Sequence, residues 1–587
     1  MRILPAPSLR KPAAPHKPAA PRKLAAPRTR MLPALAAIGL AINPGHAAHA
    51  QQDRSGTMAG RSTVYAPNGV VASSQPLATG AGLAVLQSGG NAIDAAVTTA
   101  AMLNVVEPMM TGIGGDMFAI VWLADEQRLV GLNASGRAGT LMTREELVGR
   151  GHERMPRSGA ETITVPGALT GWQTLLDHYG TISLAEALQP AIEMAEQGFP
   201  ASPVIVDFWE GAEEMLSRDE GARKTFLIDG ERAPRPGEWF SNPDFARTLR
   251  LIAEKGPDVL YRGELGEAMV ERVTELGGFL TMDDLRSHSV DWVEPISVPY
   301  RGYRLHELPP NGQGIAALET LRLLEPFDLR AMGHNSTAYL HHLIEAKKLA
   351  YADLEHFVGD PGNMRVTPDD LLSDEFIDAR RALFDPERAI ERADPGTAIT
   401  ASETTYFTVA DRHGNMVSFI NSIASAFGSG VVVPGTGFAL QNRGVGFSLD
   451  PDRANAVAPG RRPFHTIIPA FVTKTAADGR EEPWLSYGVM GGAMQPQGHV
   501  QVLINLVDFG MDLQQALDAA RFNHLSGNRV AIESVVPLEV RRQLEAMGHV
   551  LADPTGVFFG GGQAIMRLER GWAAASEPRM DGMAAGH

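Results

Sequence analysis

One segment of the chain carries residue types and a spacing that fit nucleophilic chemistry. Residues 404–410 and 416–422 are rich in Thr, Val, Tyr, Phe and Ile, which is typical of β-strands. In a hairpin whose turn is centred on His413, residues equally distant from the turn face each other, and this pairs Thr404 with Ser422. Two facing hydroxyls indicate either a nucleophile with its hydrogen-bond partner or a plain cross-strand hydrogen bond, and the spacing leaves both open.

A second candidate is the glycine pair Gly491-Gly492, which follows the apolar segment 485–490. A Gly-Gly at a junction between a strand and a helix leaves two backbone N–H groups able to receive an anion or a developing oxyanion. A simple tight turn is the alternative interpretation. We expect the following helix to begin near Pro496.

Composition excludes several classes of protein. The chain has 587 residues, a formal charge of −16 and no cysteine, so disulfides, thiolate nucleophiles and Cys-ligated metals are absent. Residues 1–50 hold eight Lys/Arg and no Asp/Glu, which leaves −24 for the remainder. A body this acidic argues against nucleic acid or an anionic membrane as a partner. We expect no cofactor and no metal.

The N-terminal segment is typical of an exported protein. An apolar run, residues 31–43, follows Arg28 and Arg30 and precedes Ala48-His49-Ala50, a small-x-small cleavage pattern. Residues 1–50 are therefore predicted to be a low-complexity extension plus a signal peptide, with Met31 as an alternative start. We expect a periplasmic or secreted protein with no membrane span in its mature form.

The hydrophobic pattern predicts a mixture of strands and helices around the hairpin. Residues 377–400 look like an exposed linker before the hairpin, and His341-His342 look like plain helix residues, because adjacent side chains point about 100° apart. The other predicted strands are 69–73, 118–122, 129–133, 303–308, 431–437 and 485–490, and the predicted helices are 76–88, 92–105, 168–178, 185–197 and 245–254.

Several ordered motifs lie along residues 60–585: Gln75-Pro-Leu-Ala78, Gly89-Gly-Asn-Ala-Ile-Asp-Ala-Ala96, Asn104-Val-Val-Glu-Pro108, Gly112-Ile-Gly-Gly115, Pro299-Tyr-Arg-Gly-Tyr303, Phe427-Gly-Ser-Gly-Val-Val-Val-Pro-Gly-Thr-Gly437 and Glu577-Pro-Arg-Met-Asp-Gly582. Together they resemble the γ-glutamyltranspeptidase (glutathione hydrolase) family of N-terminal-nucleophile hydrolases. The resemblance implies an α+β fold, a four-layer αββα sandwich made as one proenzyme that cuts itself before a threonine.

The resemblance assigns the catalytic groups residue by residue. The family's nucleophile is the first residue of a Thr-Thr pair, here Thr404, so the scissile bond is Glu403–Thr404. Cleavage would give a large subunit of residues 51–403 and a small subunit of residues 404–587, which form a heterodimer. Ser422 stands where the family has a threonine that hydrogen-bonds the nucleophile, and Gly491 and Gly492 fall on the oxyanion-hole glycines.

The substrate pocket is where the sequence departs from the family. The family holds the α-amino group of a γ-glutamyl substrate with an Asn and an acidic residue, and its α-carboxylate with an Arg and two serines. Here the Asn position is Ala424, and the motif that usually ends in two aspartates ends at Gly446. Losing a carboxylate partner for a buried ammonium costs about 2–5 kcal/mol.

Other pocket positions keep some of the expected chemistry. The paired serines are replaced by His465-Thr466, the family's arginine region holds Arg137 with a shift of about two residues, and Arg443 is added. Arg137 and Arg443 would favour an acyl group that carries a carboxylate, such as glutaryl.

Three hypotheses follow for the function. The main one is a γ-glutamyl hydrolase/transferase of the glutathione-hydrolase type that acts on small-molecule amides. The nearest alternative keeps the machinery and changes the acyl group, which gives a cephalosporin (glutaryl) acylase-like amidase. A third, from another class, is an inactive binding or scaffold protein, which the intact Thr404, Ser422 and Gly491-Gly492 disfavour.

Overall fold

The computed structural model describes residues 60–391 and 403–587, with Glu403 described by its backbone alone. The predictions for residues 1–50, and those for 392–402, lie outside the described residues. The strands are β1 Val64–Ala66, β2 Val70–Ser73, β3 Asp116–Leu123, β4 Arg128–Ala134, β5 Phe199–Pro200, β6 Trp239–Phe240, β7 Asp291–Val293, β8 Ile296–Tyr300, β9 Tyr303–Glu307, β10 Glu403–Ala410, β11 Met416–Ala424, β12 Ala470–Thr475, β13 Glu481–Met490, β14 Phe522–Ser526, β15 Arg529–Ile532, β16 Val550–Ala552, β17 Gly561–Arg567, β18 Trp572–Ser576 and β19 Met583–Gly586.

Two large sheets dominate the described residues. One has the order β1-β18-β17-β13-β12-β9-β8 and the other the order β19-β2-β10-β11-β3-β4-β7. The sheets pack face to face, because the hydroxyls of Thr408 in β10 and Ser486 in β13 lie 2.7 Å apart and the rings of Trp122 and Phe471 stack between the layers. Both β3 and β11 are buried along their whole length; β3 is apolar from Met117 to Leu123, whereas β11 also buries Ser418, Asn421 and Ser422.

Helices cover the outer faces of both sheets. α1 and α2 pack on the sheet that contains β10, and α13 and α18 pack on the sheet that contains β13, which gives the expected αββα layering. The helices are α1 Pro76–Gln87, α2 Ala92–Val106, α3 Arg144–Gly149, α4 Ala168–Tyr179, α5 Leu184–Gln197, α6 Pro203–Glu210, α7 Glu213–Leu216, α8 Glu220–Phe226, α9 Pro243–Lys255, α10 Asp258–Tyr261, α11 Glu264–Glu275, α12 Met282–Arg286, α13 Gly314–Leu324, α14 Leu329–Met332, α15 Thr337–Phe357, α16 Pro368–Leu371, α17 Asp374–Arg381, α18 Met494–Val507, α19 Leu513–Asp518 and α20 Leu538–Ala546.

The predicted hairpin and its register are confirmed. β10 and β11 pair antiparallel with Thr405 opposite Asn421 and Ala410 opposite Met416, as a turn centred on His413 requires. A register shift occurs between residues 403 and 405. Glu403 pairs with Ala424 and Thr405 with Asn421, so β11 carries a β-bulge in which Ser422 and Ile423 lie opposite the single residue Thr404.

Two sequence predictions are wrong in detail. Residues 431–437 form no regular strand, because Gly435 and Gly437 have positive φ and turn the chain back after a single bridge from Val432 to Ala439. The predicted linker 377–400 begins inside α17, where Ile377 is buried. Among the described residues, no helix has both the length and the apolar character that crossing a bilayer requires.

Candidate active site

The two hydroxyls predicted to face each other do meet at the hairpin's open end. Thr404 Oγ1 donates to Ser422 Oγ across 3.3 Å, and both side chains are buried. Ser422 Oγ also accepts a hydrogen bond of 2.9 Å from the backbone N–H of Ala424, which fixes the serine side chain. The two hydroxyls therefore make a long hydrogen bond, and the side chain of Ser422 is held beside that of Thr404.

A carboxyl group holds the residue after the nucleophile. Thr405 Oγ1 donates to Glu107 Oε2 across 2.8 Å, and Ser74 Oγ donates to the same oxygen, also across 2.8 Å. Burial raises the pKa of Glu107 to about 7, and the two hydrogen bonds only partly oppose this rise. The strand end that carries Thr404 is thus held by Ser422 and by the Glu107 carboxyl.

The glycine pair follows β13, a strand that packs against β10 across the two sheets. Tyr406 of β10 lies against Gly488 of β13, where an added Cβ would come within 2.6 Å of the tyrosine ring, and Thr408 faces Ser486. If this correspondence continues by two residues along each strand, Thr404 is expected near Met490, the last residue of β13. Gly491 and Gly492 follow immediately, with φ values of 125° and 56° that favour glycine. Backbone N–H groups in such a turn fit an oxyanion hole.

A buried glutamine links this turn to the neighbouring cavity. Gln313 Nε2 donates to the carbonyl of Gly492 across 2.8 Å and to the carbonyl of Thr466 across 2.6 Å. The two contacts fix the relative positions of the glycine turn and the cavity wall.

A cavity of about 550 Å³ opens next to the hairpin. Its deep wall contains the buried residues Ala424, Arg443 and Thr466, whereas its acidic residues are exposed or half-buried at the rim. The acidic residues are Glu153, Glu355 and Asp450, and the rim also holds Arg154, Arg157 and Arg453.

Arg443 is a cation at the deep end of this cavity. Its guanidinium is buried and donates from Nη1 to Thr466 Oγ1 across 3.1 Å, while Nε and Nη2 have no hydrogen-bond partner among the described residues. Burial lowers the pKa of Arg443 to about 10, which still leaves the group charged at neutral pH. A buried cation with two free donors is suited to a bidentate carboxylate.

The other two predicted binding residues lie away from the cavity wall. His465 is fully buried with Nε2 3.0 Å from Asp116 Oδ2, and burial, with the nearby charge of Arg443, lowers its pKa to about 4. Arg137 is 44% exposed, with Nη1 3.4 Å from Asp360 and 3.2 Å from the carbonyl of Gly460. Their roles in substrate binding remain predictions.

The two departures from the family motif differ sterically. Ala424 has a φ of 78°, a conformation that Asn tolerates better than most residues, so an asparagine fits this backbone. A Cβ at Gly446 would lie 2.3 Å from the carbonyl oxygen of Phe464. The carbonyl of Phe464 therefore occupies the space that a side chain at residue 446 would need, and an aspartate there requires backbone movement.

One buried cluster has metal-ligating residue types. His341 Nδ1 lies 2.8 Å from His549 Nε2, and Glu345 Oε1 lies 3.9 Å from the same atom. Lys348 Nζ, however, already pairs with Glu345 Oε1 at 2.7 Å. An ammonium on the same oxygen opposes a dication, so the cluster is a buried ion pair with two histidines. His342 faces the carbonyl of Ala338 instead.

Sequence reasoning missed Glu107 and Gln313 as members of the site. Glu107 lies in a segment with three nearby glycines, a signal of close packing around it, but the partner of its carboxyl is 298 residues away. Gln313 has no local signal, because both of its acceptors are backbone carbonyls more than 150 residues distant.

A threonine opposite a bulge at a hairpin's open end, a glycine turn after β13 and an αββα sandwich are the features expected of an N-terminal-nucleophile hydrolase. The sequence model described as Gamma-glutamyltranspeptidase matches residues 78–587, and the chain belongs to that family.

Relatives in the family differ in their named substrates. The chain is 37% identical over 530 residues to the Glutathione hydrolase-like YwrD proenzyme of Bacillus subtilis (strain 168), covering 88% of this chain and 98% of that protein. It is 36% identical to the Acylase ACY 1 proenzyme of Pseudomonas sp. (strain SE83), covering 82% and 87%. The crystal structure of cephalosporin acylase from Bacillus halodurans superposes with a TM-score of 0.84 at 44% identity, covering 90% and 98%. The family is settled, and the acyl group varies within it.

Proposed function

We propose that the protein is a self-processing N-terminal threonine amidohydrolase that cleaves amides of dicarboxylic acyl groups of the glutaryl type. The observation that carries this proposal is Arg443, a buried cation with two free donors in a cavity whose carboxylates lie at the rim. Such a wall offers a cation to a substrate carboxylate, and its buried lining residues offer no carboxylate to a substrate ammonium.

The first step is cleavage of the precursor. The hydroxyl of Thr404 attacks the carbonyl carbon of Glu403, the peptide nitrogen leaves as the α-amine of Thr404, and water hydrolyses the ester. The products are residues 51–403, if the N-terminal segment is removed, and residues 404–587. The sheet that contains β10 interleaves strands from both fragments, with β2 of the larger one between β19 and β10 of the smaller one, so the fragments stay together as a heterodimer.

The second step repeats the attack on a substrate. The freed α-amine, with an ordinary pKa of about 7.7–8.0, accepts the proton from Thr404 Oγ1 while the oxygen attacks the substrate amide. The N–H groups of Gly491 and Gly492 receive the oxyanion, and the amine product leaves. Water then releases the acyl group, and an amine acceptor in its place gives transfer.

A γ-glutamyl hydrolase or transferase of the glutathione-hydrolase type is the second candidate. It is favoured by the likeness to the YwrD proenzyme, whose name is glutathione hydrolase-like. Glutaryl and γ-glutamyl groups share the terminal carboxylate that Arg443 would bind, and they differ only in the α-ammonium. The choice between them therefore depends on the missing partner for that ammonium at Ala424 and Gly446.

The test compares glutaryl and γ-glutamyl amides of the same amine on one processed preparation. We expect kcat/KM to be at least tenfold higher for the glutaryl amide, since about 1.4 kcal/mol corresponds to tenfold. Arg443→Met should raise KM for both amides, whereas Arg480→Met, at an exposed position that does not line the cavity, serves as the matched control. A clear preference for the γ-glutamyl amide would contradict the glutaryl assignment.

We also propose export to the periplasm or the medium, on the basis of the apolar run 31–43 and the Ala48-His49-Ala50 pattern. The N-terminal sequence of the large fragment recovered from the producing cells should start at Gln51. A large fragment that still starts at Met1 or Met31 would exclude removal of a signal peptide.

A further inference from the structure

The loop that follows α2 contacts both strands of the catalytic hairpin. The carbonyl of Met110 accepts from the N–H of Ile423 across 3.3 Å, and the carbonyl of Met109 accepts from the N–H of Phe427 across 2.9 Å. The side chain of Glu107 crosses to the other strand and accepts from Thr405. The loop thus holds β10 at Thr405, and it holds the chain just after Ser422 at Ile423 and Phe427.

Glu107 is an unusual residue for this position. Its carboxyl is fully buried, Oε2 accepts from both Ser74 and Thr405, and Oε1 has no hydrogen-bond partner among the described residues. The charged group that acts on it is Asp581, a like charge, so no cation offsets the burial. A purely structural acceptor for two hydroxyls does not need an ionisable group, and ionisable groups kept at such a cost are typical of functional sites.

The protonation state of Glu107 determines how many hydrogen-bonding orientations the hydroxyl of Thr405 can adopt. An ionised carboxylate only accepts hydrogen bonds, so Ser74 and Thr405 must both donate to it and the threonine side chain has one orientation. A protonated carboxyl has its own O–H, and either hydroxyl can then turn and accept from it. The strand end is therefore held uniquely only when Glu107 is ionised.

We infer that Glu107 is a positioning residue for self-cleavage: its carboxylate holds Thr405 and thereby aligns the hydroxyl of Thr404 with the carbonyl of Glu403. The inference rests on the proposed self-processing function. In this role Glu107 acts on Thr404 through its neighbour Thr405. The cleavage rate of the precursor then depends on the ionisation of Glu107.

In the uncleaved precursor, the ionisation of Glu107 can be measured separately from that of the Thr404 α-amine. Before cleavage the nitrogen of Thr404 is an amide, so the α-amine, which titrates in a similar range, does not exist. Full-length chain made by cell-free synthesis should be followed by denaturing gel from pH 5.5 to 9. We expect the wild-type cleavage rate to rise through an inflection near pH 7, because burial raises the pKa of Glu107 to about 7.

Two variants test the assignment. Glu107→Gln keeps an acceptor oxygen but cannot ionise, so the inflection should disappear and the rate at pH 8 should fall at least tenfold. Asp581→Asn removes the like charge, so the inflection should move to lower pH, and the amide retains an oxygen for the N–H groups of Val204 and Ile205 that Asp581 now accepts. The second variant keeps the inference testable if Glu107→Gln fails to fold.

The outcomes separate the inference from the proposed function. A wild-type chain that never cleaves overturns both. A wild type that cleaves, with Glu107→Gln showing the same rate and the same pH profile, overturns the positioning role and leaves the proposed function standing. An inflection that stays in place in Asp581→Asn also contradicts the role of Glu107.

Discussion

At the scale of single residues, the nucleophile is defined by what surrounds one hydroxyl. Thr404 Oγ1 lies 3.3 Å from Ser422 Oγ, and Ser422 is itself held by the N–H of Ala424. Neither neighbour is a base: in the proposed self-cleavage the proton of Thr404 passes to the peptide nitrogen that leaves, and after cleavage the attack on a substrate needs another proton acceptor. The α-amine created by cleavage is the group in the right place.

Replacing Ser422 tests this arrangement. Ser422→Ala removes the hydrogen-bond partner of Thr404 and should lower kcat by about 2-fold to 10-fold, because a neutral hydrogen bond contributes about 0.5–1.5 kcal/mol. Ser422→Thr keeps the hydroxyl and should retain most of the activity. Steady-state kinetics on both variants would check this, and equal losses in the two variants would show that the hydroxyl is not the relevant group.

Ala424 offers a gain-of-function test of substrate choice. Its φ of 78° suits asparagine, so Ala424→Asn should fold normally and place an amide oxygen in the cavity. A hydrogen bond to a charged group contributes about 1.5–3 kcal/mol, so the ratio of γ-glutamyl to glutaryl kcat/KM should rise about tenfold or more. An unchanged ratio would argue that this position does not contact the α-ammonium.

At the scale of elements, the site depends on close contact between the two sheets. Gly488 of β13 lets the ring of Tyr406 of β10 approach the backbone, since an added Cβ would lie 2.6 Å from that ring. The same contact sets where β13 ends relative to Thr404. The distance between the sheets therefore decides whether the glycine turn reaches the nucleophile.

Gly488→Ala should separate the sheets at this point. We expect a loss of about 1–3 kcal/mol in the free energy of unfolding, as overpacking of a core typically gives, together with slower cleavage. Gly80→Ala in α1 is the control, because its Cβ would meet nothing within 4 Å. Chemical denaturation and a cleavage time course measure the two effects. Normal cleavage in Gly488→Ala would show that the sheet spacing is not critical.

The elements themselves were largely readable from the sequence. Asn91 caps α2 through a capping box with Asp94, a pattern that is local and therefore visible in the chain. The hairpin register was also local, because a short turn fixes it. The bulge opposite Thr404 was not predictable, since it depends on contacts made after the strands have paired.

At the scale of the whole molecule, the buried charge of Glu107 affects stability. In the fold its pKa is about 7, against an ordinary value of 4.5. The fold thus favours the protonated form, so the contribution of this group to stability is full below about pH 4.5 and is lost as pH rises through about 7. A carboxylate at the site is retained at the expense of stability at neutral pH.

This linkage gives a prediction that is independent of activity. In an uncut Thr404→Ala background, Glu107→Gln should gain stability relative to its parent as pH rises from 5 to 8, by up to about 3 kcal/mol. Urea unfolding at several pH values measures the difference, with the exposed Glu294→Gln as the control. A difference that does not change with pH would contradict a raised pKa for Glu107.

The long-range parts of the site were beyond sequence reasoning. Glu107 and Thr405, or Gln313 and Gly492, come together only through the packing of the whole sandwich. Nε and Nη2 of Arg443 likewise lack a hydrogen-bond partner among the described residues only because of how the surrounding segments pack. A family motif predicted which residues form the nucleophile and its partner, but what the cavity offers a substrate required the surrounding structure.

In the proposed function, the nucleophile, the base and the two subunits all depend on cleavage between Glu403 and Thr404. The most direct measurement is the N-terminal sequence of the smaller fragment separated from the purified protein on a denaturing gel. We predict that it begins Thr-Thr-Tyr-Phe and that Thr404→Ala remains a single chain. A wild-type protein that stays intact, or a small fragment that begins at another residue, would contradict the assignment of Thr404.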